Sequence, residues 1–371
     1  METIDITIIG AGVIGLAIAE KLSQKYHNIA VLEKHDSFGR ETSSRNSEVI
    51  HDGSHYPPNT LKAQLCVEGN RMLYEICLKN KINHKKIGKF TVAATPEEIP
   101  QLEAFEKNGT LNGVEGLVFY EPEDVKKIEP YINVYMALFS PNTGIIDSHG
   151  LMKYFSTKAE SHGVLIVYHS EVTSINKDNE GFVFTVRYAD GITDSFKSKI
   201  LINSAGLSSD KIGEMAGIDI DKANYRLNYC KGDYMAWNKR YFSHLVYPLP
   251  TKYSKGIHVC IDLNGDIKFG PNAYFINEIN YDVVSKKEEF FKAIRSYFPD
   301  IDANDLSPAM SGIRPKLQSE KDDFRDFIIC HESERELTGL INLIGIESPG
   351  LTAAPAIARY VSEIVDTIIV G

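Results

Sequence analysis

The most restrictive feature of the chain lies between its start and Glu33. Ile4-Asp5-Ile6-Thr7-Ile8-Ile9 is an apolar run rich in β-branched residues, suited to a strand buried on both faces. Gly10-Ala11-Gly12-Val13-Ile14-Gly15 follows directly. Leu16, Ala17, Ala19 and Leu22 then give a helix its apolar face, and Ile29-Ala30-Val31-Leu32 forms a second strand ending at Glu33 and Lys34. This is a βαβ unit with a dinucleotide fingerprint in its proper context, strand before and helix after. Gly10 permits the tight turn, Gly12 lets backbone approach a pyrophosphate, and Gly15 lets the helix pack on the strand. The helix N-terminus supplies oriented N–H donors, and Glu33 is placed to accept from ribose hydroxyls. A nicotinamide dehydrogenase continues strand–helix alternation for roughly 150 residues. Here the alternation stops after Glu33 and resumes far downstream, which favours FAD over NAD.

The rest of the chain repeats the α/β pattern in pieces. Residues 60–79 read as an amphipathic helix with Leu61, Leu65, Met72, Leu73 and Ile76 inward. Strand-like 86–94, a helix near 97–107 and strand-like 134–139 follow. A helix over 148–162 leads into strands at 164–168, 182–188 and 200–206. Residues 225–270 read as strand throughout, with Trp237 in the core, and a helix over 286–297 interrupts that material. Strands near 327–331 and 340–346, the turn Ser348-Pro349-Gly350 and a helix over 354–369 close the chain. The expected class is α/β (α+β overall). A Rossmann-like FAD-binding domain is assembled from 1–80, 145–220 and 315–371, with an antiparallel-sheet substrate domain from 81–144 and 221–314.

Composition narrows the function. The 371 residues carry a net charge of −10 with no basic run, which argues against a nucleic-acid surface. Five scattered cysteines lack metal-site spacing and point to reduced thiols in a cytoplasmic setting. No secretory leader is expected, and no apolar run reaches the ~20 residues of a spanning helix. Arg359, Glu363 and Asp366 keep the last helix from being a span, while peripheral contact at the inner face of a membrane stays open.

The segment TSSRNSEVIHDGSHY at 42–56 is a Ser/Asn-rich turn followed by His51, His55 and Tyr56. His51 and His55 are four apart, but Asp52-Gly53 breaks a helix between them and no third ligand is near, so no metal is expected. Several blocks together resemble the FAD oxidoreductases of the glycine/D-amino-acid oxidase type: IIGAGVIGLAIAEKL…VLEK, SSRNSEVIHDGSHY, SPNTGIID, LINSAGLSSD and ESPGLTAAPAIARYV. NSEVIH-x-G-x-x-Y, LKAQLCVEGNRMLYEIC and YPLP…GIHVCIDLNGDIKFGPNA resemble its L-2-hydroxyglutarate dehydrogenase branch in particular.

The resemblance implies that Gly10, Gly12, Gly15, Glu33 and Lys34 hold the ADP half of FAD. Ser43, Ser44, Asn46 and Ser47 would reach the pyrophosphate or flavin, Val172 would offer backbone to adenine, and Ala205-Gly206 would pass close by. Gly350-Leu351-Thr352 would open the last helix toward the flavin. Glu48 departs from the pattern, standing where relatives often carry glycine.

Oxidising a 2-hydroxy acid needs a base for the hydroxyl proton and cations for the carboxylates. His258, mid-strand in the substrate domain, is the first candidate base and His51 the second. Arg314, extended because it precedes a proline, suits a bidentate carboxylate contact. Tyr247, Lys231 and Tyr56 are further pocket candidates. The expected activity is oxidation of a small 2-hydroxy acid such as L-2-hydroxyglutarate, with a quinone, an electron-transfer partner or dioxygen as acceptor. An amine or amino-acid oxidase and a glycerol-3-phosphate-type dehydrogenase share the fold and are the alternatives.

Overall fold

A computed structural model describes residues 2–250 and 256–370. Residues 251–255, inside the stretch read as strand over 225–270, lie outside the described residues. The chain divides into two units, one of Met1–Ser44, Ser148–Asn228 and Pro315–Gly371, the other of Arg45–Asp147 and Tyr229–Arg314.

The first unit is built on a sheet whose centre is Thr3–Ile9. It pairs in parallel with Ile29–Leu32 on one side and with Thr193–Asn203 on the other. Leu165–Val167 extends the sheet beyond Ile29–Leu32, and Leu340–Ile344 pairs in parallel with the end of Thr193–Asn203. The first half of that long strand instead joins an antiparallel meander with Gly181–Tyr188 and Ser170–Asp178. Helices Ser148–Ser161 and Gly350–Val370 both pack against Val13–Ser23. They cover central strands whose residues Ile6–Ile9 and Ile29–Leu32 are all buried, as an uninterrupted apolar run requires. The last helix begins at Gly350, one turn before the expected start, with the Ala353 N–H donating to the Pro349 carbonyl.

The second unit is a nine-stranded sheet. From one edge it runs Tyr274–Ile276, Asn228–Trp237, Ile267–Gly270, His258–Ile261, Leu245–Pro248, Lys89–Ala93, Met136–Ser140, Val118–Tyr120, with Leu306–Lys316 also paired to Asn228–Trp237. Antiparallel pairing prevails along this order, while Leu245–Pro248 runs parallel to Lys89–Ala93. That parallel pair is joined by a connection running through the whole 148–228 segment, and a parallel pair needs a long crossover where a hairpin cannot serve. The core of this unit is aromatic, with Trp237 ringed by Phe242, Phe269 and Phe298 at centroid separations of 5.3–6.0 Å.

Residues 45–80, expected with the nucleotide-binding segments, fall in the second unit. The reason is a buried polar residue on the helix Leu61–Asn80. Asn70 donates to the carbonyls of His51 and Asn142, both in this unit. The helix face turned inward is accordingly Ala63, Leu65, Cys66, Gly69, Asn70, Leu73 and Cys77, while Leu61, Met72 and Ile76 are only half-buried. Thr60 caps its start by accepting from the Ala63 N–H, and Lys81 ends it in the left-handed region.

Candidate active site

The fingerprint turn of the first unit has the shape its sequence demands. Gly10 has φ +102°, and a Cβ there would stand 2.7 Å from the Ser204 carbonyl oxygen. At Gly15 a Cβ would overlap the Gly10 carbonyl oxygen and stand 2.7 Å from Ser204 Oγ. The helix Val13–Ser23 therefore sits directly on the turn, its N-terminus uncapped by Gly12 itself. The nearest atom to a Cβ on Gly12 is Ser43 Oγ at 3.0 Å, and that hydroxyl accepts from the Val13 N–H. Glu33 is buried at the end of Ile29–Leu32, with its carboxylate accepting from the backbone N–H groups of Ala11 and His35. A buried carboxylate beside a glycine turn and a helix N-terminus fits the ribose and pyrophosphate of FAD.

Other cofactor candidates in this unit have more varied settings. Lys34 is exposed and ion-paired with Glu41 at 2.8 Å, and Ser44 is exposed, its hydroxyl donating to the Glu41 carbonyl. Val172 lies buried in an edge strand, beside a register irregularity between Val172 and Ser174. Ala205-Gly206 follows Ser204, whose hydroxyl donates to the Ile9 carbonyl, so this turn packs against the end of Thr3–Ile9. Gly350 and Thr352 begin the last helix. Glu347 just before it pairs in a buried contact with Lys316 at 2.9 Å.

In the second unit the segment following Ser44 is tightly tied down. Asn46 Oδ1 accepts from the Glu48 N–H, and Glu48 has φ +53°, a conformation glycine adopts without strain. The glycine expected at this position therefore has a backbone reason. Ser47 hydrogen-bonds the buried Tyr234 hydroxyl. From His51 to Tyr56, side-chain amides hold the loop by its carbonyls. Asn70 donates to His51, Asn112 to Gly53 and Tyr56, and Asn108 to Ser54 and Tyr56. Asp52, wholly enclosed, accepts from the Ser54 N–H and pairs with Lys89 Nζ at 3.0 Å. Burial alone would raise the Asp52 carboxyl, but the Lys89 ammonium and hydrogen bonds from Ser140 and Ser54 hold it well below the usual carboxylate range.

This loop forms one wall of a small pocket, partly open to solvent. His51, His55, Tyr56, Lys89 and Tyr247 are among the residues lining it. Tyr247 stacks on His258 with ring centroids 3.7 Å apart, and both are buried. His258 Nδ1 lies 2.8 Å from the Gly256 carbonyl oxygen. A carbonyl only accepts, so in the neutral ring Nδ1 carries the proton and Nε2 is the basic nitrogen. Tyr247 thus links the pocket lined by His51 and Tyr56 to His258, which is buried against its ring and does not itself line the pocket.

Arg314 lies half-buried on Leu306–Lys316, its guanidinium directed at Cys230 Sγ and, at 3.3 Å, at the Asn272 carbonyl oxygen. Lys231 is buried and its ammonium donates to the Asp282 carbonyl. Neither lines the pocket with His51. Asp52, Lys89 and the three asparagines belong to the site without being marked by any motif. The one available signal was the Asp52 carboxylate next to a candidate histidine. The contacts that tie Lys89 and the three asparagines to this loop span 19–59 positions of the chain, and no local pattern records such distances. Among the described residues no three His, Cys, Asp or Glu side chains converge as metal ligands, and no helix is long and apolar enough to cross a membrane.

Comparison with known proteins agrees with this architecture. A family model described as "DAO: FAD dependent oxidoreductase" matches residues 5–364. The mitochondrial L-2-hydroxyglutarate dehydrogenase of Arabidopsis thaliana is 36% identical over 403 aligned residues, spanning 98% of this chain and 83% of that protein. The glycerol 3-phosphate dehydrogenase of Caloramator mitchellensis is 32% identical over 371, spanning 98% and 74%. Among solved structures, dithionite-reduced L-alpha-glycerophosphate oxidase from Mycoplasma pneumoniae with FAD bound has a TM-score of 0.86 and 29% identity. That match covers 99% of this chain and 95% of its own. With the fingerprint turn, the buried Glu33 and a family match over nearly its whole length, the chain belongs to the DAO family of FAD-dependent oxidoreductases.

Proposed function

We propose that the protein is an FAD-dependent dehydrogenase of a small 2-hydroxy acid, with L-2-hydroxyglutarate its substrate and 2-oxoglutarate the product. The observation that carries this is the 36% identity across 98% of the chain to an L-2-hydroxyglutarate dehydrogenase. The pocket chemistry supports it. FAD supplies the two-electron acceptor for the hydride leaving C2. His258, its tautomer set by the Gly256 carbonyl, takes the hydroxyl proton on Nε2. His51, on a loop pinned by three asparagines, hydrogen-bonds the developing alkoxide. Arg314 orients a carboxylate by a charged hydrogen bond. A quinone, an electron-transfer partner or dioxygen then removes the electrons.

Oxidation of glycerol 3-phosphate is the second reading, favoured by the 32% identical dehydrogenase and the glycerophosphate oxidase structure. The distribution of charge, not its sum, argues against it. Both substrates are dianions, but a phosphate concentrates its charge on one group, whereas the lysine lining the His51 pocket already faces Asp52 and suits a single carboxylate charge better. Anaerobic mixing of the FAD-loaded enzyme with L-2-hydroxyglutarate, glycerol 3-phosphate or glycine, followed by flavin absorbance, separates the readings. Bleaching by the hydroxy acid alone is expected. Bleaching by glycerol 3-phosphate and not by the hydroxy acid reverses the assignment.

A further inference from the structure

The ammonium of Lys89 is an unusual object in this fold. It is buried, with only 5% of the residue exposed, yet it lines a pocket instead of being packed away. An ammonium has three donors. Among the described residues its one hydrogen bond is to Asp52 Oδ2, at 3.0 Å. Its remaining surroundings are the aromatic rings of Phe105 and Tyr247, at 5.8 and 5.6 Å from ring centre to Nζ. Two of its N–H groups thus meet no oxygen among the described residues. The second observation comes from Tyr247, which lines the same pocket. It is 4% exposed, and its buried hydroxyl has no hydrogen-bond partner among the described residues. Burial raises that hydroxyl well above the ordinary tyrosine value, so it stays protonated and remains a donor.

Buried donors without acceptors cost on the order of 1–3 kcal/mol each. A protein that retains two such groups, side by side in one cavity, has an acceptor to offer them from outside. We propose that Lys89 and Tyr247 form a subsite for a carboxylate of the substrate, the one remote from the carbon being oxidised. The proposal rests on the reading of the protein as a 2-hydroxy-acid dehydrogenase and narrows it to dicarboxylic acids. A carboxylate matches the pocket better than a phosphate. It brings one negative charge to a lysine that already faces Asp52, and its two oxygens meet one ammonium and one phenol. The same pocket wall carries His51, so a short acid can reach the subsite while its hydroxyl end lies at the histidine. Asp52 acquires a defined role in this arrangement. It pairs with Lys89 between the rings of Phe105 and Tyr247 and, through the Ser54 N–H, ties that ammonium to the loop holding His51.

The test uses unreactive probes on the FAD-loaded full chain, with binding read from the flavin spectrum and from calorimetry. Glutarate and pentanoate have the same chain length and differ by one carboxylate. The wild type is expected to bind glutarate roughly 10- to 100-fold more tightly than pentanoate, the span of one or two charged hydrogen bonds. Tyr247→Phe removes a hydroxyl that bonds nothing among the described residues, so its unfolding temperature should hold while the glutarate preference falls. The double variant Lys89→Gln with Asp52→Asn removes both charges together, avoiding a lone buried ion, and should abolish the preference. A wild type with no preference for glutarate, or a double variant that folds and keeps it, overturns the subsite. So does inorganic phosphate displacing glutarate at lower concentration than glutarate displaces it. A wild type that prefers glutarate but whose flavin no 2-hydroxy acid reduces supports the subsite and sinks the assigned reaction, so the two failures are distinguishable.

Discussion

Replacing Asp52 by Asn tests how the candidate site is held together. The side chains of Asp52 and Lys89 are 2% and 6% exposed and 3.0 Å apart. At an effective dielectric of about 20 their direct attraction is ~5–6 kcal/mol, most of it offset by the cost of burying two ions. The substituted amide would keep the shape and the contact with the Ser54 N–H, but would leave the Lys89 ammonium buried without a counter-charge. Breaking one side of such a pair costs about 3–5 kcal/mol. For a domain of 150–250 residues each kcal/mol moves the midpoint by roughly 2–4 °C, so Asp52→Asn should lower it by roughly 6–20 °C. The double variant Asp52→Asn with Lys89→Gln should recover much of that loss. The pH dependence has a definite sign. Asp52 is held below its unfolded value, so its contribution is complete above the ordinary carboxylate range and is lost only as pH falls through the lower folded value. Scanning calorimetry from pH 5 to 8 should therefore show a constant gap between wild type and Asp52→Asn. A gap under about 1 kcal/mol, or one that closes between pH 7 and 5, would refute the account of the pair.

Three further outcomes follow from the geometry. His258→Ala should slow anaerobic flavin reduction by roughly 10²–10⁴-fold while changing the substrate's dissociation constant far less, and an unchanged reduction rate removes His258 as the base. Arg314→Ala should weaken substrate binding by ~1.5–3 kcal/mol, measured by titration of the flavin spectrum; an unaltered constant places Arg314 outside the site. Gly15→Ala forces a Cβ into the Gly10 carbonyl and should cost about 1–3 kcal/mol of stability and most of the bound FAD; full cofactor content after purification would contradict the close helix–turn contact.

The first βαβ unit is legible residue by residue, because its pattern is local. The strand is a contiguous apolar run, Gly10 is required by its positive φ and Gly15 by the Gly10 carbonyl, although the distant Ser43 and Ser204 crowd the same turn. The fold class, the FAD cofactor and the family are readable for the same reason. Periodicity marks the helix at 61–80 but misplaces part of its inward face. Leu61, Met72 and Ile76 are apolar, yet the buried face is decided by the reach of Asn70 to His51 and Asn142. The departure at Glu48 is visible in the sequence, while its setting, a left-handed backbone closed by Asn46, is not.

Sequence alone therefore determined the nucleotide-binding turn, the interruption that separates FAD from NAD, and the histidines worth suspecting. Tertiary structure decided which candidates share a pocket. It brought His51, Tyr56 and Tyr247 to one pocket, stacked Tyr247 on the buried His258, and gave Lys231 to the Asp282 carbonyl. It also placed Lys89, which no motif marks, against Asp52. The physical reason is range. Periodicity and turn chemistry act over a few residues and leave a trace in the sequence. A buried charge or amide is positioned by whichever partner the folded sheet brings opposite it, and that partner lies tens of residues away.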